Sequence, residues 1–543
     1  MGVKQFMILL ISVLLASNIF AQTNSIHNND SVIVEKLTIS EKINNWFTPI
    51  VDELGAVLFF DPFAKLGFYS PEVIENGEVV LNEKGEPIVR KAPFVVIWLV
   101  LGALFFTIFM RFINFRGFRL AIDLVRGKYS NPADKGQVSH FQALTTALSA
   151  TVGLGNIAGV AIAISIGGPG ATFWMIIAGL LGMSTKFVEC TLAVKYRKVD
   201  ENGRVSGGPM YYLSRGLKAR NMKVFGQVLA VFFAVLVVIG SFGIGNMFQV
   251  NQAFAQIAYK FPSISNGFGF GVIMAILTGL VIVGGIKSIA KVTSKIVPFM
   301  AALYILAAVI IIVMNISHTG EAFQLIFAGA FSPAALKGGI LGVLIVGFQR
   351  AAFSNEAGIG SAPIAHSAAK TNEPVSEGIV ALLEPFIDTV VICTLTALVL
   401  IFTGMHLNPE GLQGAQLTSS AFESVVSWFP YVLIIAVVLF AFSTMIAWSY
   451  YGLKGFDFLV GGWFEKKFGS RTISNRIYQV TFLIFIVVGA SSSLGAVIDF
   501  SDMLILTMAF PNILGLIIMA PEVRNDLKSY LSRIKSGEIK KYK

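Results

Sequence analysis

Long apolar runs separated by short polar stretches dominate the chain from residue 92 onward. They lie near 92–113, 141–166, 170–196, 224–258, 269–285, 296–315, 338–366, 377–403, 429–453, 475–490 and 496–520. An α-helix needs about 20 apolar residues to cross a bilayer core, so this pattern predicts an all-α membrane protein with about 11 transmembrane helices. The stretch before it differs. Thr23 to Lys91 is polar and acidic, and Glu72 to Val89 alternates around Asn82-Glu83-Lys84-Gly85, which predicts a small hairpin. Ile43 to Phe63 has the character of an amphipathic segment lying in a membrane interface. At the start, Lys4 precedes the apolar run Phe6 to Ala16, and small residues follow up to Ala21. That is the pattern of a cleaved export signal, although Ile19 stands where a small residue is preferred, so an uncleaved anchor stays open. The expected organisation is a signal peptide over 1–21, an extracytoplasmic extension over 22–91, a membrane domain over 92–520 and a basic tail over 521–543.

Composition agrees with the pattern. Of 543 residues, 55% are hydrophobic and 13% charged, against about 25% charged in a soluble domain. A soluble chain this apolar would aggregate. The net charge of +10 would fit a nucleic-acid partner, but the positions of the charges exclude one. Arg111, Arg116, Arg119, Arg126, Lys128 and Lys135 follow the first span, and Lys195 to Lys223 hold the next basic cluster. Lys287, Lys291, Lys295, Lys370, the Lys454 to Arg476 stretch and the tail continue it, while the alternate loops hold only Lys260 and Lys337. Basic loops stay on the cytoplasmic side. The expectation is a multi-pass inner-membrane protein with its N-terminus outside and its C-terminus in the cytoplasm. Cys190 and Cys393 sit in apolar stretches without metal or redox spacing.

With the first span set aside, ten remain in two groups of five. An odd number per group gives the groups opposite orientation, the inverted-repeat plan of many secondary transporters. The first helix of each group carries a matching flaw. One is Val152-Gly153-Leu154-Gly155-Asn156, and the other runs from Ser354-Asn355-Glu356-Ala357-Gly358-Ile359-Gly360 to Pro363. Each Gly costs about 1 kcal/mol in a helix interior relative to Ala, so both segments invite unwinding. Unwound backbone cannot face lipid but can line a cavity. Its N–H groups favour a carboxylate and its C=O groups an ammonium or a sodium ion. The bland alternative is that the glycines only permit close helix crossing.

At these residues the chain resembles the alanine or glycine:cation symporter family. The matching stretches are Gly153-Leu154-Gly155-Asn156-Ile157-Ala158-Gly159-Val160-Ala161, Gly167-Gly168-Pro169-Gly170, Gly207-Gly208-Pro209-Met210-Tyr211-Tyr212 and Gly347-Phe348-Gln349-Arg350 through Gly358 to Pro385. The resemblance covers about residues 92–520 and leaves the N-terminal extension without a counterpart. It implies the five-plus-five inverted repeat of the leucine-transporter type with one extra N-terminal helix. It also implies sodium-coupled uptake of a small neutral amino acid such as alanine or glycine, with protons as the alternative coupling ion. Gly153, Gly155 and Asn156 would then offer backbone N–H groups to the substrate carboxylate. Gln249, Phe348, Phe353 and Trp448 would surround the substrate. For sodium, a hard cation that prefers oxygen ligands as others do, the resemblance places Ser443 and Thr444 beside the carbonyls of Ser149, Val152 and Phe440.

Charges inside spans are expensive and usually functional. Lys186 and Glu189 stand one helical turn apart and are expected to pair. Arg350 and Glu356 flank the second break and are expected either to pair as a gate or, for Glu356, to hold unwound backbone. Glu384 and Asp388 form an i, i+4 acidic pair, with a proton relay as one reading. His366 is expected at the surface. No metalloprotease, triad or nucleotide-loop motif is present in the sequence, which argues against an enzyme. A passive channel would use similar carbonyl-lined breaks, but breaks at mid-membrane in an inverted repeat favour alternating access.

Overall fold

The computed structural model describes residues 93–542 apart from 132, 202, 265–266, 332–338 and 408–410, together with 49, 61–67, 72, 74–75 and 78–79. The signal peptide, nearly all of the expected interfacial segment and the turn expected at 82–85 lie outside these residues. Strands β1 (Ile74–Glu75) and β2 (Glu78–Val79) pair antiparallel, Ile74 opposite Val79. Both strands lie ahead of the turn expected at 82–85.

The remainder is helical. In chain order it comprises α1 (Phe94–Phe109), α2 (Phe118–Val125), α3 (His140–Thr151), α4 (Val160–Gly167), α5 (Ala171–Lys195), α6 (Pro209–Lys218), α7 (Lys223–Phe242) and α8 (Phe248–Lys260). These are followed by α9 (Gly267–Ile282), α10 (Gly285–Met314), α11 (Thr319–Phe331), α12 (Gly339–Asn355), α13 (Ala362–His366), α14 (Pro374–Ala381) and α15 (Thr394–Phe402). Last come α16 (Ala415–Val425), α17 (Phe429–Phe456), α18 (Thr472–Ser491) and α19 (Leu494–Ser536). A minor hairpin, β3 (Lys198–Val199) with β4 (Val205–Ser206), precedes α6.

Among the described residues, seven helices are long and apolar enough to cross a membrane, and the bent pair formed by α3 with the segment ending in α4 makes an eighth. The shorter α1 and α9 are also apolar. Every expected apolar run is helical, but the ends move. The final helix continues from 520 to Ser536, because its charged extension is held by partners: Glu522 and Asp526 meet Lys195, and Arg533 forks onto Glu373. Gly537, in the left-handed region, stops it.

Helices α12 and α14 both pack on α5, α7 packs on α17 and α19, and α10 packs on α3 and α17. Val228, Ile276, Leu280, Leu306 and Ile484 point outward and are exposed. An apolar exterior around a core that hides Lys186, Glu189, Glu384 and Asp388 inverts the arrangement of a soluble protein and suits a lipid solvent.

Two interruptions cross this body. After α3, residues 152–154 leave the helix, and Gly155–Gly159 form a wide π turn before α4. The halves bend by 51°. After α12, Glu356, Gly358 and Gly360 all have positive φ (56°, 87° and 90°) before α13 begins. Gly360 is doubly constrained, since a Cβ there would also lie 2.7 Å from Pro209 Cγ. Gly360→Ala is therefore expected to lower stability by about 1–3 kcal/mol, whereas Gly462→Ala, which meets no neighbour, should leave it unchanged. Thermal melting of the detergent-solubilised protein checks this, and equal midpoints for the two variants would contradict it.

Candidate functional site

The first break is organised by its own side chains. Ser139 caps α3 through a reciprocal capping box with Gln142, so the half-helix is fixed at its start. At its end, Asn156 Oδ1 accepts the Gly153 N–H at 2.9 Å, and Gln249 Oε1 accepts the Leu154 N–H at 3.0 Å. The Asn156 N–H itself bonds the Gly153 carbonyl. In this conformation the N–H groups of Gly153 and Asn156 are thus bonded within the protein. Gly153 is wedged tightly: a Cβ would sit 2.5 Å from Thr444 Oγ1 and 3.0 Å from Gln249 Oε1. Gly155 borders Phe353 and the backbone of Ser354.

The two breaks meet at Asp388. Its carboxylate accepts from Asn156 Nδ2 at 2.6 Å, Ser354 Oγ at 2.7 Å and Thr389 Oγ1 at 2.7 Å. All four residues are completely buried, and every one of these donors is neutral. Asp388 lies in the π-helical stretch Phe386–Cys393 between α14 and α15. A π turn shifts the side-chain register relative to an α-helix and often marks functional sites. Cys393, at the end of the same stretch, faces Asn156 and Ser354.

Beside the first break lies a cluster of oxygens. Thr444 Oγ1 donates to the Ser149 carbonyl at 3.0 Å, Ser149 Oγ to the Ser443 carbonyl at 2.6 Å, and Ser443 Oγ to the Phe440 carbonyl at 3.0 Å. Val152 stands where α3 ends, next to Gly153. This donor set, hydroxyl and carbonyl oxygen in a buried place, fits a hard cation.

The aromatic residues divide. Phe353 meets Phe248 edge to face at 4.9 Å and lies under the Arg350 guanidinium at 5.3 Å. Trp448 is fully buried, donates through Nε1 to Glu356 Oε1 at 2.9 Å, and packs on Gly245, where a Cβ would come within 2.1 Å of its ring. Phe348 is buried too, but five residues before Phe353 it occupies a different face of α12.

Several sequence-based pairings are corrected. Lys186 does not take Glu189, one turn away; it pairs with Glu384 at 2.9 Å, while Asn512 of α19 donates to Glu189 at 2.5 Å. Arg350 and Glu356 do not pair. Arg350 meets Asp502, and Glu356 accepts from Ser361 and Trp448, holding the strained turn as the second reading expected. Glu384 and Asp388 each have their own partners, Lys186 for Glu384 and Asn156, Ser354 and Thr389 for Asp388. His366 is not at the surface but fully buried against Glu377. For Lys186 and Arg350 a partner distant in sequence displaced a local one. His140, Glu377, Asp502 and Asn512 were missed altogether. Glu377 was detectable: with Glu384 seven residues on, it forms an acidic stripe on one helix face.

A profile of the sodium:alanine symporter family matches residues 78–543. The chain belongs to the sodium:alanine symporter family. The match reaches further at both ends than the 92–520 expected from motifs. Among the relatives of this family member is the sodium/alanine symporter AgcS of Methanococcus maripaludis, 42% identical over 82% of this chain and 96% of that protein. Another is the probable sodium/glutamine symporter GlnT of Bacillus subtilis, 35% identical over 82% of this chain and 89% of that protein. A solved Na+-coupled sialic acid symporter in a substrate-bound outward-open state shares the fold, with a TM-score of 0.50 and 14% identity over 78% of this chain and 86% of that one.

The Lys186–Glu384 pair supplies a test of how the core tolerates charge. Lys186→Met should destabilise the protein by about 3–5 kcal/mol by leaving a buried carboxylate uncompensated. Adding Glu384→Gln should restore most of that loss. Melting midpoints of the single and double variants decide it, and additive losses would rule out the pairing as the cause.

Proposed function

We propose that this family member carries a small neutral amino acid such as alanine or glycine inward across the inner membrane, together with sodium, by alternating access. The observation that carries the reading is the meeting of the two broken helices around Asn156, Ser354 and Asp388, next to the oxygens of Ser149, Ser443, Thr444 and Phe440. Unwound backbone at mid-membrane has a use only where a polar ligand passes. In this reading about eleven spans form two inverted groups of five after α1. The N-terminus is outside, and the basic loops and the helical C-terminal extension are cytoplasmic.

Within the site, Gly153, Gly155 and Asn156 receive the substrate carboxylate by exchanging their internal bonds for it. Gln249, already bonded to the break at Leu154, orients that exchange. Phe353 and Trp448 wall the side chain, Phe348 would join them only if α12 turned, and the Trp448–Glu356 bond limits the room for a larger side chain. Sodium is cargo and coupling ion. Ser443 and Thr444, with the carbonyls of Ser149, Val152 and Phe440, replace its water shell. A second reading, proton coupling, has one observation in its favour: the buried Asp388 carboxylate accepts only from neutral donors.

Uptake of labelled alanine and glycine into proteoliposomes tests the proposal. An inward sodium gradient should raise uptake at least about tenfold, and equal uptake with and without it would refute symport. The Ser443→Ala, Thr444→Val double variant should fold, shown by an unchanged melting midpoint, yet lose the sodium stimulation. Sodium dependence that survives in that variant moves the ion site elsewhere.

A further inference from the structure

On the basic-loop side of the two breaks lies a buried chain of ionisable side chains that the transport reading does not use. Glu377 of α14 is its pivot. One carboxylate oxygen meets His140 Nδ1, and the other meets His366 Nδ1 at 2.6 Å. The far ring nitrogen of His366 lies 3.4 Å from Glu384 Oε2, outside hydrogen-bond geometry, and the other Glu384 oxygen takes Lys186 Nζ at 2.9 Å. None of the five is more than 3% exposed.

The placement matters more than the number of bonds. His140 is the first residue of α3, the half-helix before the first break. His366 is the last residue of α13, the half-helix after the second break. Both half-helices end on the side of the basic loops, and among the described residues Glu377 holds one ring from each. Swinging either half-helix away from α14 must break a bond to that carboxylate.

Charge balance shows what else must change. The groups facing the chain are Glu189, Cys190 and Glu356, with Tyr451 of α17 near Glu356 and Glu384, Tyr212 of α6 near Glu189, and Asp388 near Glu384. Arg197 lies within electrostatic reach of Glu377, and its guanidinium donates to the carbonyls of Lys135, Ser367, Ala369 and Thr371. Glu189, Glu356, Glu377 and Glu384 thus face Lys186, Arg197 and two histidines. Four carboxylates against two fixed cations in a buried place repel unless protons are added, and each histidine ring, set against Glu377, offers a place for one.

We propose that His140, Glu377 and His366 form a proton-binding latch that holds the basic-loop side of the protein shut while protonated, and that opening to that side releases its protons. The proposal rests on the alternating-access reading above. With the rings neutral, the excess of carboxylate charge drives the half-helices apart.

Cys190 is the reporter. It lies on α5 four residues after Lys186, is fully buried, and senses the charges of Glu377 and Glu384. Full-length protein in liposomes is treated with a maleimide, and the rate at Cys190 is read by mass spectrometry, normalised to denatured protein at the same pH. From about pH 6 to about pH 9, a range that covers histidine both free and held against a carboxylate, the normalised rate should rise about fivefold or more, the lower end of a coupling between sites. His140→Gln and His366→Gln, which keep a neutral donor, should flatten that profile. Glu377→Gln should label fast at every pH. If Glu377→Gln fails to fold, the two histidine variants carry the test. A flat wild-type profile, or histidine variants that keep the wild-type profile, overturns the latch. Alanine uptake measured on the same liposomes separates the two ideas. Sodium-driven uptake with a flat labelling profile defeats only the latch, and a latch profile without uptake defeats only the transport reading.

Discussion

A main-chain N–H or C=O stranded in hydrocarbon costs several kcal/mol, and this chain interrupts two helices deep inside an apolar body. Everything around the breaks follows from that constraint. Asn156 and Gln249 accept the N–H groups that the first break frees, and Asn355 accepts the Ala357 N–H in the second. Glu356, with a positive φ no ordinary residue favours, is held by Ser361 and Trp448. The breaks are then tied to each other through Asn156, Ser354 and Asp388. In the proposed function these are the bonds that a bound zwitterion would replace.

The same economy governs charge. Buried ionic groups are destabilising unless paired, and here nearly all of them are paired across helices rather than along one. Lys186 joins α5 to the turn after α14, Arg350 joins α12 to α19, and Glu377 joins α14 to both α3 and α13. A pair along one helix leaves that helix free to slide, whereas a pair between helices has to break when they part. The core therefore holds its charges where a movement of one helix against another would break a bond. They fall in two layers: neutral donors around Asp388 at the level of the breaks, and titratable rings and carboxylates nearer the basic loops.

Much of the site was legible along the chain. The Gly-x-Gly interruptions, Asn156, Ser443 with Thr444, and Gln249 were marked by being polar or flexible in apolar surroundings, and the structure brings Gly153 against both Thr444 and Gln249. Phe353 and Trp448 also lie at the second break. Legibility failed where partners were distant. Lys186 with Glu189, and Arg350 with Glu356, were natural local pairs, yet Glu384 and Asp502 displaced them from helices up to about two hundred residues away along the chain. His366 was placed at the surface because it ends an apolar run, but its helix end is covered by α14.

Apolar run length, loop charge and glycine position determined by themselves that this is a helical membrane protein with two weakened helices, because each depends on the solvent and on one residue's own backbone freedom. Which side chains meet at those weak points was decided only in three dimensions. Hydrogen bonds and ion pairs in a dry interior act over about 3 Å, and sequence spacing measures that distance only within one helix. The joining of the two breaks at Asp388, and the tie of both half-helices to Glu377, come from separate helices packed together, and no periodicity along the chain encodes them.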